Sequence, residues 1–452
     1  MNENFNDTGY WFLPENKEEQ ISGEISYSPE DGVVIKFLGH FGDEKTLIEN
    51  SYFPLILGVL QNGKKVTLIG SNKKNSTISF PGIPTMTLVS SYALVGQHFE
   101  TLDDICFQQV QARFNNLYQF LNTNGIEEQR SAAFVNLKYT PPPNIDFSIE
   151  NKLLSIQFLG SASYAGDNHK SFTILQDAHL QVKYDADTSI NEILEDLSVF
   201  QGFLTFATFE SSYPTKITFP IRNGNSFESY KVELFFRRIV ERRAKGNKHF
   251  QYLFNYPQIQ DCFQEVISNW WEHYDKLEPI IDLYLRSFYY YSANFSENQF
   301  LEIMHALESY HRRNYNNSLY AKPVFKEIKS EILAAVPEKH RPLLTEKLNF
   351  ANEPALQRRL EELFSCVDSY DFIKRIVPDT KIFIREIKQT RNYFTHYSKE
   401  LESKSLKGVE LYYATMKLRV ILTILLLKKI NIPEDSIKNA VSVLKDFHFN
   451  HI

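Results

Sequence analysis

The spacing of apolar residues changes once along this chain, near residue 249, and that change limits the fold more than any other feature. Before it the alternation is that of strands, with every second side chain turned to the same face. Ser28-Pro29-Glu30-Asp31-Gly32 is a turn signal between Glu24–Tyr27 and Val33–Leu38, and Asn62-Gly63 separates Pro54–Leu60 from Lys65–Ile69 as a tight hairpin requires. Leu153–Leu159, Phe172–Tyr184, Lys216–Phe219 and Tyr230–Phe235 continue the strand pattern. One helix interrupts it: Ser189-Ile190-Asn191-Glu192 is a capping box, and Ile193, Leu194, Leu197 and Phe200 follow at helical spacing.

Beyond residue 249 apolar residues recur every three or four positions. Ser296-Glu297-Asn298-Gln299 is read as the cap of a helix carrying Phe300, Met304, Leu307 and His311 on one stripe. Pro354 opens a helix ending near Cys366, and Pro378 precedes a run from Asp379 to about Lys399 with Phe383, Ile387 and Phe394 on one face. A helix from about Val409 to Lys429 and one after Pro433 complete the set. The pattern predicts an α+β chain. Residues 1–248 form a β-rich, sandwich-like region, and residues 249–452 an all-α bundle of five or six helices.

Composition narrows the function classes. With 43% hydrophobic and 23% charged residues the chain is globular rather than disordered, and 49 Lys+Arg against 55 Asp+Glu give a formal charge of −6. No global positive field attracts nucleic acid, so an anion site must be local. Cys106, Cys262 and Cys366 lie far apart, which indicates neither a disulfide framework nor a thiolate zinc site, and no cofactor motif is present. The polar start Met1-Asn2-Glu3-Asn4 lacks the order of a signal peptide, so the expected compartment is the cytoplasm. The most apolar run, Val420–Leu427, is far short of the roughly 20 residues that cross a bilayer. Phosphate-loop, dinucleotide-fold and nucleophile-elbow strings are absent as well.

One string carries chemistry: Arg391-Asn392-Tyr393-Phe394-Thr395-His396, inside a helical run. Imidazole suits proton transfer near neutral pH, and a guanidinium holds a phosphate through charged hydrogen bonds. The pair suits metal-independent RNA cleavage, in which His396 takes the ribose 2′-OH proton and Arg391 stabilises the phosphate. Asn392 lies one turn before His396 and is placed to orient the ring or a phosphate oxygen. At about 100° per residue, Arg391 and His396 stand roughly 140° apart around the helix. A second copy of the helix across a two-fold axis would complete such a site. The plainer reading is an exposed helix end, its arginine bonding carboxylates and its histidine on the surface.

These residues, with the apolar stretches Ile382–Ile387 and Leu411–Leu427 on either side, resemble the HEPN superfamily of nucleotide-binding and ribonuclease domains. Phe300–Arg312 resembles the opening helix of the ApeA-like HEPN domain. The front half is similar to the ApeA N-terminal domain through Gly9-Tyr10-Trp11-Phe12-Leu13-Pro14, Ile21–Tyr27, Ile56-Leu57-Gly58-Val59 and Lys65-Val66-Thr67-Leu68. The resemblance implies an anti-phage defence protein. A sensing N-terminal domain responds to a phage-derived trigger, and a dimeric HEPN ribonuclease cuts RNA, leaving a 2′,3′-cyclic phosphate. Arg391 and His396 are then the catalytic pair, with Asn392 at the polar second position. HEPN domains also include non-catalytic scaffolds that bind RNA, a nucleotide or a protein, and that reading stays open.

Weaker signals remain. Glu308 could orient Arg391 or His396, or simply pair with Arg312 at i, i+4. The spacings Glu302-x-x-His305 and Glu308-x-x-His311 superficially match di-iron proteins, but all four lie on one helix, so no metal is expected. Arg237, Arg238, Arg242 and Arg243, with Lys245 and Lys248, form a basic stretch that could guide RNA or be a solvated linker. Trp270-Trp271 and Phe288–Tyr291 could stack on bases, though an aromatic core is the plainer reading.

Overall fold

The computed structural model describes residues 4–42, 45–78, 81–165, 171–222, 229–238, 252–289 and 296–448. The chain divides into two compact units, residues 1–249 with 255–257, and residues 250–254 with 258–452.

In the first unit, six antiparallel strands close a barrel: β1 (Phe5–Leu13), β2 (Asn16–Ser28), β3 (Gly32–Leu38), β4 (Tyr52–Leu60), β5 (Lys65–Thr77) and β6 (Thr85–Val95). Their order is β6-β3-β2-β1-β4-β5, and β5 returns to pair with β6. The β-rich region thus closes on itself where a sandwich would stack two sheets, a result of β1 lying between β2 and β4. Both expected hairpins are present. Ser28 Oγ accepts the Asp31 N–H at 2.9 Å, and Gly32 takes the positive φ of 77° that closes the first turn. Asn62 Oδ1 accepts the Lys64 N–H at 3.0 Å, and Gly63 has φ of 81° in the second.

Inward-facing Trp11, Ile25, Ile35, Phe37, Ile56, Leu68 and Leu88 fill the barrel, each fully buried. Gly58 is required beside Trp11, because a Cβ there would lie 2.2 Å from the indole Cε3.

The end of β6 also pairs with β14 (Ser229–Phe236), and from there the sheet runs on outside the barrel. Its outward order is β14, β13 (Pro214–Arg222), β7 (Cys106–Phe114), β12 (Ser171–Ser189), β11 (Lys152–Ala165) and β10 (Ile145–Ile149). A separate ribbon joins β8 (Ile126–Arg130) and β9 (Val135–Tyr139). The helix Ile190–Thr208 packs on β7 and β12, burying Phe200 and Phe203. Ser189 caps it by accepting the Glu192 N–H at 3.3 Å. Lys152 Nζ reaches Asp196 at 2.6 Å and Tyr184 donates to the same carboxylate at 3.0 Å, fastening the helix to the sheet.

The second unit is helical. Gly408–Lys429 is its centre, with residues 418–427 buried on every side, as expected of a helix apolar all round. Around it pack Phe263–Tyr289, Ser296–Asn314 and Glu434–His448. Leu356–Ser365 packs against Ser296–Asn314 and Thr380–His396. Lys322–Ala335 and Arg341–Leu348 add two helices that bury no residue, and the described bundle has more members than expected. Among the described residues no helix is long and apolar enough to cross a membrane.

Candidate active site

Arg391, Asn392 and His396 share the helix Thr380–His396. Asp379 caps its start, accepting the Ile382 N–H at 2.9 Å. Phe383, Ile384, Ile387, Thr390 and Phe394 face inward and fix the helix's rotation. The helix stops at His396, short of Lys399, because Tyr397 takes a left-handed conformation with φ of 49° and gives its N–H to the Tyr393 carbonyl at 2.6 Å. An aromatic residue in that conformation costs about 1 kcal/mol. The strain falls directly after the imidazole. The following loop is tied back: Leu406 N–H donates to Thr390 Oγ1 at 2.9 Å, and Lys407 Nζ lies 5.4 Å from the centre of the Tyr393 ring.

Arg391 is held by the neighbouring helix. Its Nε donates to Glu308 Oε1 at 3.1 Å and its Nη2 to Glu308 Oε2 at 3.4 Å, a two-pronged pair between partly exposed groups. A guanidinium has five N–H donors, so both Nη1 hydrogens and one on Nη2 remain for another anion. Glu308 therefore fixes the fork without exhausting it. Arg312, the alternative partner for Glu308, turns instead to Glu353 at 3.1 Å.

His396 is exposed and Asn392 half-buried, and among the described residues neither side chain has a hydrogen-bonding or ionic partner. No bond joins Arg391 to His396. The groups lie on one helix but do not converge within it.

One turn from Glu308 on the same helix, His311 is fully buried. Its Nδ1 faces Arg359 Nη1 at 3.0 Å and its Nε2 faces Glu362 at 2.7 Å. The guanidinium can only donate, so Nδ1 accepts and Nε2 carries the hydrogen. Arg359 also bonds the Pro354 carbonyl, Asn317 and Glu353. The Glu362 carboxyl is held below its usual range by the bonds from His311 and Arg358. Sequence reasoning placed His311 on the apolar stripe and in the Glu308-x-x-His311 spacing but gave it no partner, because Arg359 lies 48 positions away and no local signal couples the two.

The other singled-out residues are accounted for separately. Glu302 is partly buried, which raises its carboxyl, partly offset by the Arg286 and Arg419 charges, while His305 is exposed. Glu302, His305, Glu308 and His311 thus have unlike surroundings, and among the described residues no group of three or more His, Cys, Asp or Glu gathers as a metal site does. Arg237 Nε donates to the Glu30 carbonyl at 2.9 Å and Arg238 Nη2 to the Thr215 carbonyl at 2.8 Å, ties that hold β14 to the β2–β3 turn and to β13. Arg242, Arg243, Lys245, Lys248, Tyr290 and Tyr291 lie outside the described residues, as does the Ser296 side chain. Trp270 is wholly buried.

The model for ApeA N-terminal domain 1 matches residues 8–270, more than half of the chain, and the model for the Apea-like HEPN domain matches residues 301–436. The chain belongs to the ApeA family. Glu308, Arg391, Asn392 and His396 all fall inside the HEPN match. ApeA proteins are an anti-phage defence family with a HEPN domain, and HEPN domains as a class are associated with ribonuclease activity, with RNA and with dimers. No curated protein and no solved structure matches the chain.

Proposed function

We propose that this ApeA-family chain is a metal-independent endoribonuclease acting as a homodimer through its HEPN unit, with residues 249–452 catalytic and residues 1–248 sensing a phage-derived trigger. The observation that carries the reading is the Glu308–Arg391 fork on a helix that ends in a free His396. Glu308 holds a guanidinium ready with spare donors, while an imidazole without a partner among the described residues stands at the end of the same helix.

In the reaction, His396 accepts the 2′-OH proton as the 2′ oxygen attacks phosphorus. The spare Arg391 N–H groups neutralise the charge building on the phosphoryl oxygens. The bond to the 5′ oxygen breaks, leaving a 2′,3′-cyclic phosphate and a 5′-hydroxyl after that oxygen takes a proton. Asn392, with its amide free, is positioned to bind a phosphoryl oxygen. Since Arg391 and His396 point about 140° apart, the scissile group lies between an Arg391 of one subunit and the imidazole of a second copy, or spans the helix end.

The test is incubation of the full chain with total cellular RNA, with and without phage lysate and with EDTA. EDTA-resistant cuts ending in cyclic phosphate are expected. Chelator-sensitive cleavage, or binding without scission as a scaffold would give, overturns the reading.

A further inference from the structure

The part of the sheet outside the barrel has two unlike faces. On one, Val110, Ala112, Ile156, Leu180 and Val182 are buried. Strand alternation puts the opposite parity on the other face, and there the side chains are polar. Gln157 pairs in register with His179, Gln181 with Gln111, and Lys216 with Arg113.

Polar sheet faces normally stand in water. This one is partly enclosed: a cavity of about 660 Å³ is walled by it and by the rim of the barrel within the same unit. That volume is in the range of small-molecule sites, roughly 300–1,000 Å³.

Its polar groups are incompletely matched. Four cations, Lys64, Arg113, Lys216 and Lys231, line it against three carboxylates. Arg113 pairs with Asp177 at 3.4 Å and Lys216 with Glu233 at 3.0 Å. Asp7 is taken up by the Thr8 N–H at 2.8 Å and the Asn62 amide at 3.0 Å. Lys231 Nζ reaches only the neutral Gln111 oxygen at 3.2 Å, and Lys64 Nζ makes no bond among the described residues. Among the described residues, two ammonium groups are therefore without a carboxylate.

Beside the cavity, His179 is 5% exposed and neither ring nitrogen has a partner among the described residues; Ser155 Oγ on the same face is also buried and unpaired. Buried polar atoms left open are costly and infrequent. The field of Arg113 and Lys231 adds to burial in holding the imidazole uncharged. Two rings, Phe5 and Phe235, packed edge to face at 4.9 Å, supply apolar wall.

We infer that this cavity binds a free nucleotide, its phosphates at Lys64 and Lys231 and its base against Phe5 and Phe235. Anionic and aromatic parts in one ligand of this size match both halves of the lining. The site lies wholly in the N-terminal unit and does not rest on the ribonuclease reading.

The experiment is calorimetric titration of the full chain with ATP, GTP and inorganic pyrophosphate, repeated on Lys64→Met and Lys231→Met. At least one nucleotide should bind more tightly than pyrophosphate, and each substitution should weaken it about tenfold, the scale of one charged hydrogen bond. Lys64 is exposed at a hairpin turn, so its variant should melt with the parent and keep the test meaningful if Lys231→Met misfolds. No binding of either nucleotide at millimolar concentration overturns the inference. So does nucleotide binding that is unaffected in a folded Lys64→Met chain, or pyrophosphate bound as well as both nucleotides.

Discussion

Glu308 and His311 stand one turn apart on the same helix and serve opposite ends. Around His311 every strong group is answered: imidazole, Arg359, Glu362, Asn317 and Glu353 bond one another or nearby carbonyls, with His311 and Arg359 buried and the two carboxylates partly exposed. Around Glu308 the network stops half-made. Its carboxylate satisfies part of Arg391, and beyond that lie spare N–H groups, a free Asn392 and an exposed His396. A closed network around two buried groups stabilises one conformation, whereas an open one keeps its hydrogen-bonding capacity for something else. Two histidines of the same domain are thereby distinguished without any appeal to motif.

The comparison breaks most sharply at its open end. His396→Ala should lower RNA cleavage by about 10³-fold, within the span of a lost general base, while the melting temperature stays within about a degree of the parent because the ring touches no core residue. Cleavage assays beside differential scanning calorimetry check this. Full activity in the variant would mean the free imidazole is only surface.

The closed end should respond the other way. His311→Ala leaves Arg359 and Glu362 without their bridge and opens a cavity where the ring stacks on Tyr315 at 4.8 Å. A destabilisation of about 3 kcal/mol is expected, measured by urea unfolding. Cleavage per folded molecule should change little, and a stable but inactive variant would move His311 into the functional half.

A third histidine sharpens the contrast, since His179 is buried yet open. Its pKa falls to about 4, chiefly through burial and then through the Arg113 and Lys231 charges, against the raising effect of Asp177. The unfolded chain therefore binds a proton between about pH 6.5 and 4 that the folded chain refuses, so stability falls with decreasing pH across that window. At pH 5 the cost is about 2 kcal/mol relative to pH 7. Unfolding of the parent and of His179→Gln at pH 7 and pH 5 should show a smaller pH loss in the variant; equal losses would mean the imidazole finds a partner in solution.

Much of this architecture was legible beforehand, and the main exceptions share a cause. The turns at Ser28–Gly32 and Asn62–Gly63, the Ser189 cap and the Phe383/Ile387/Phe394 stripe are local, readable within a few residues. Barrel closure was not, because Gly9 pairs with Leu60 across the whole first half of the barrel. Helix Lys322–Ala335 carries Phe325, Ile328 and Ile332 at helical spacing and could have been read, whereas Arg341–Leu348 is too short to set a period. At the site, the motif helix could be read from Arg391 to His396. The choice of Glu308 between Arg312 and Arg391 could not, since an i, i+4 neighbour and a partner 83 residues away are equal candidates until the fold sets them side by side.

That choice yields the smallest of these effects and the most specific. Glu308→Gln keeps the side chain's shape and one acceptor oxygen but removes the charge facing Arg391. Both groups are partly exposed, so the lost ion pair should cost folding less than about 1 kcal/mol. If Glu308 positions the guanidinium, cleavage falls about tenfold through a looser fork, with kcat reduced more than KM is raised. Glu308→Asp, which keeps the charge but shortens the reach, should recover part of the loss at most. A purely structural Glu308 would instead lower stability and leave kcat untouched, and the open network would then begin at Arg391 alone.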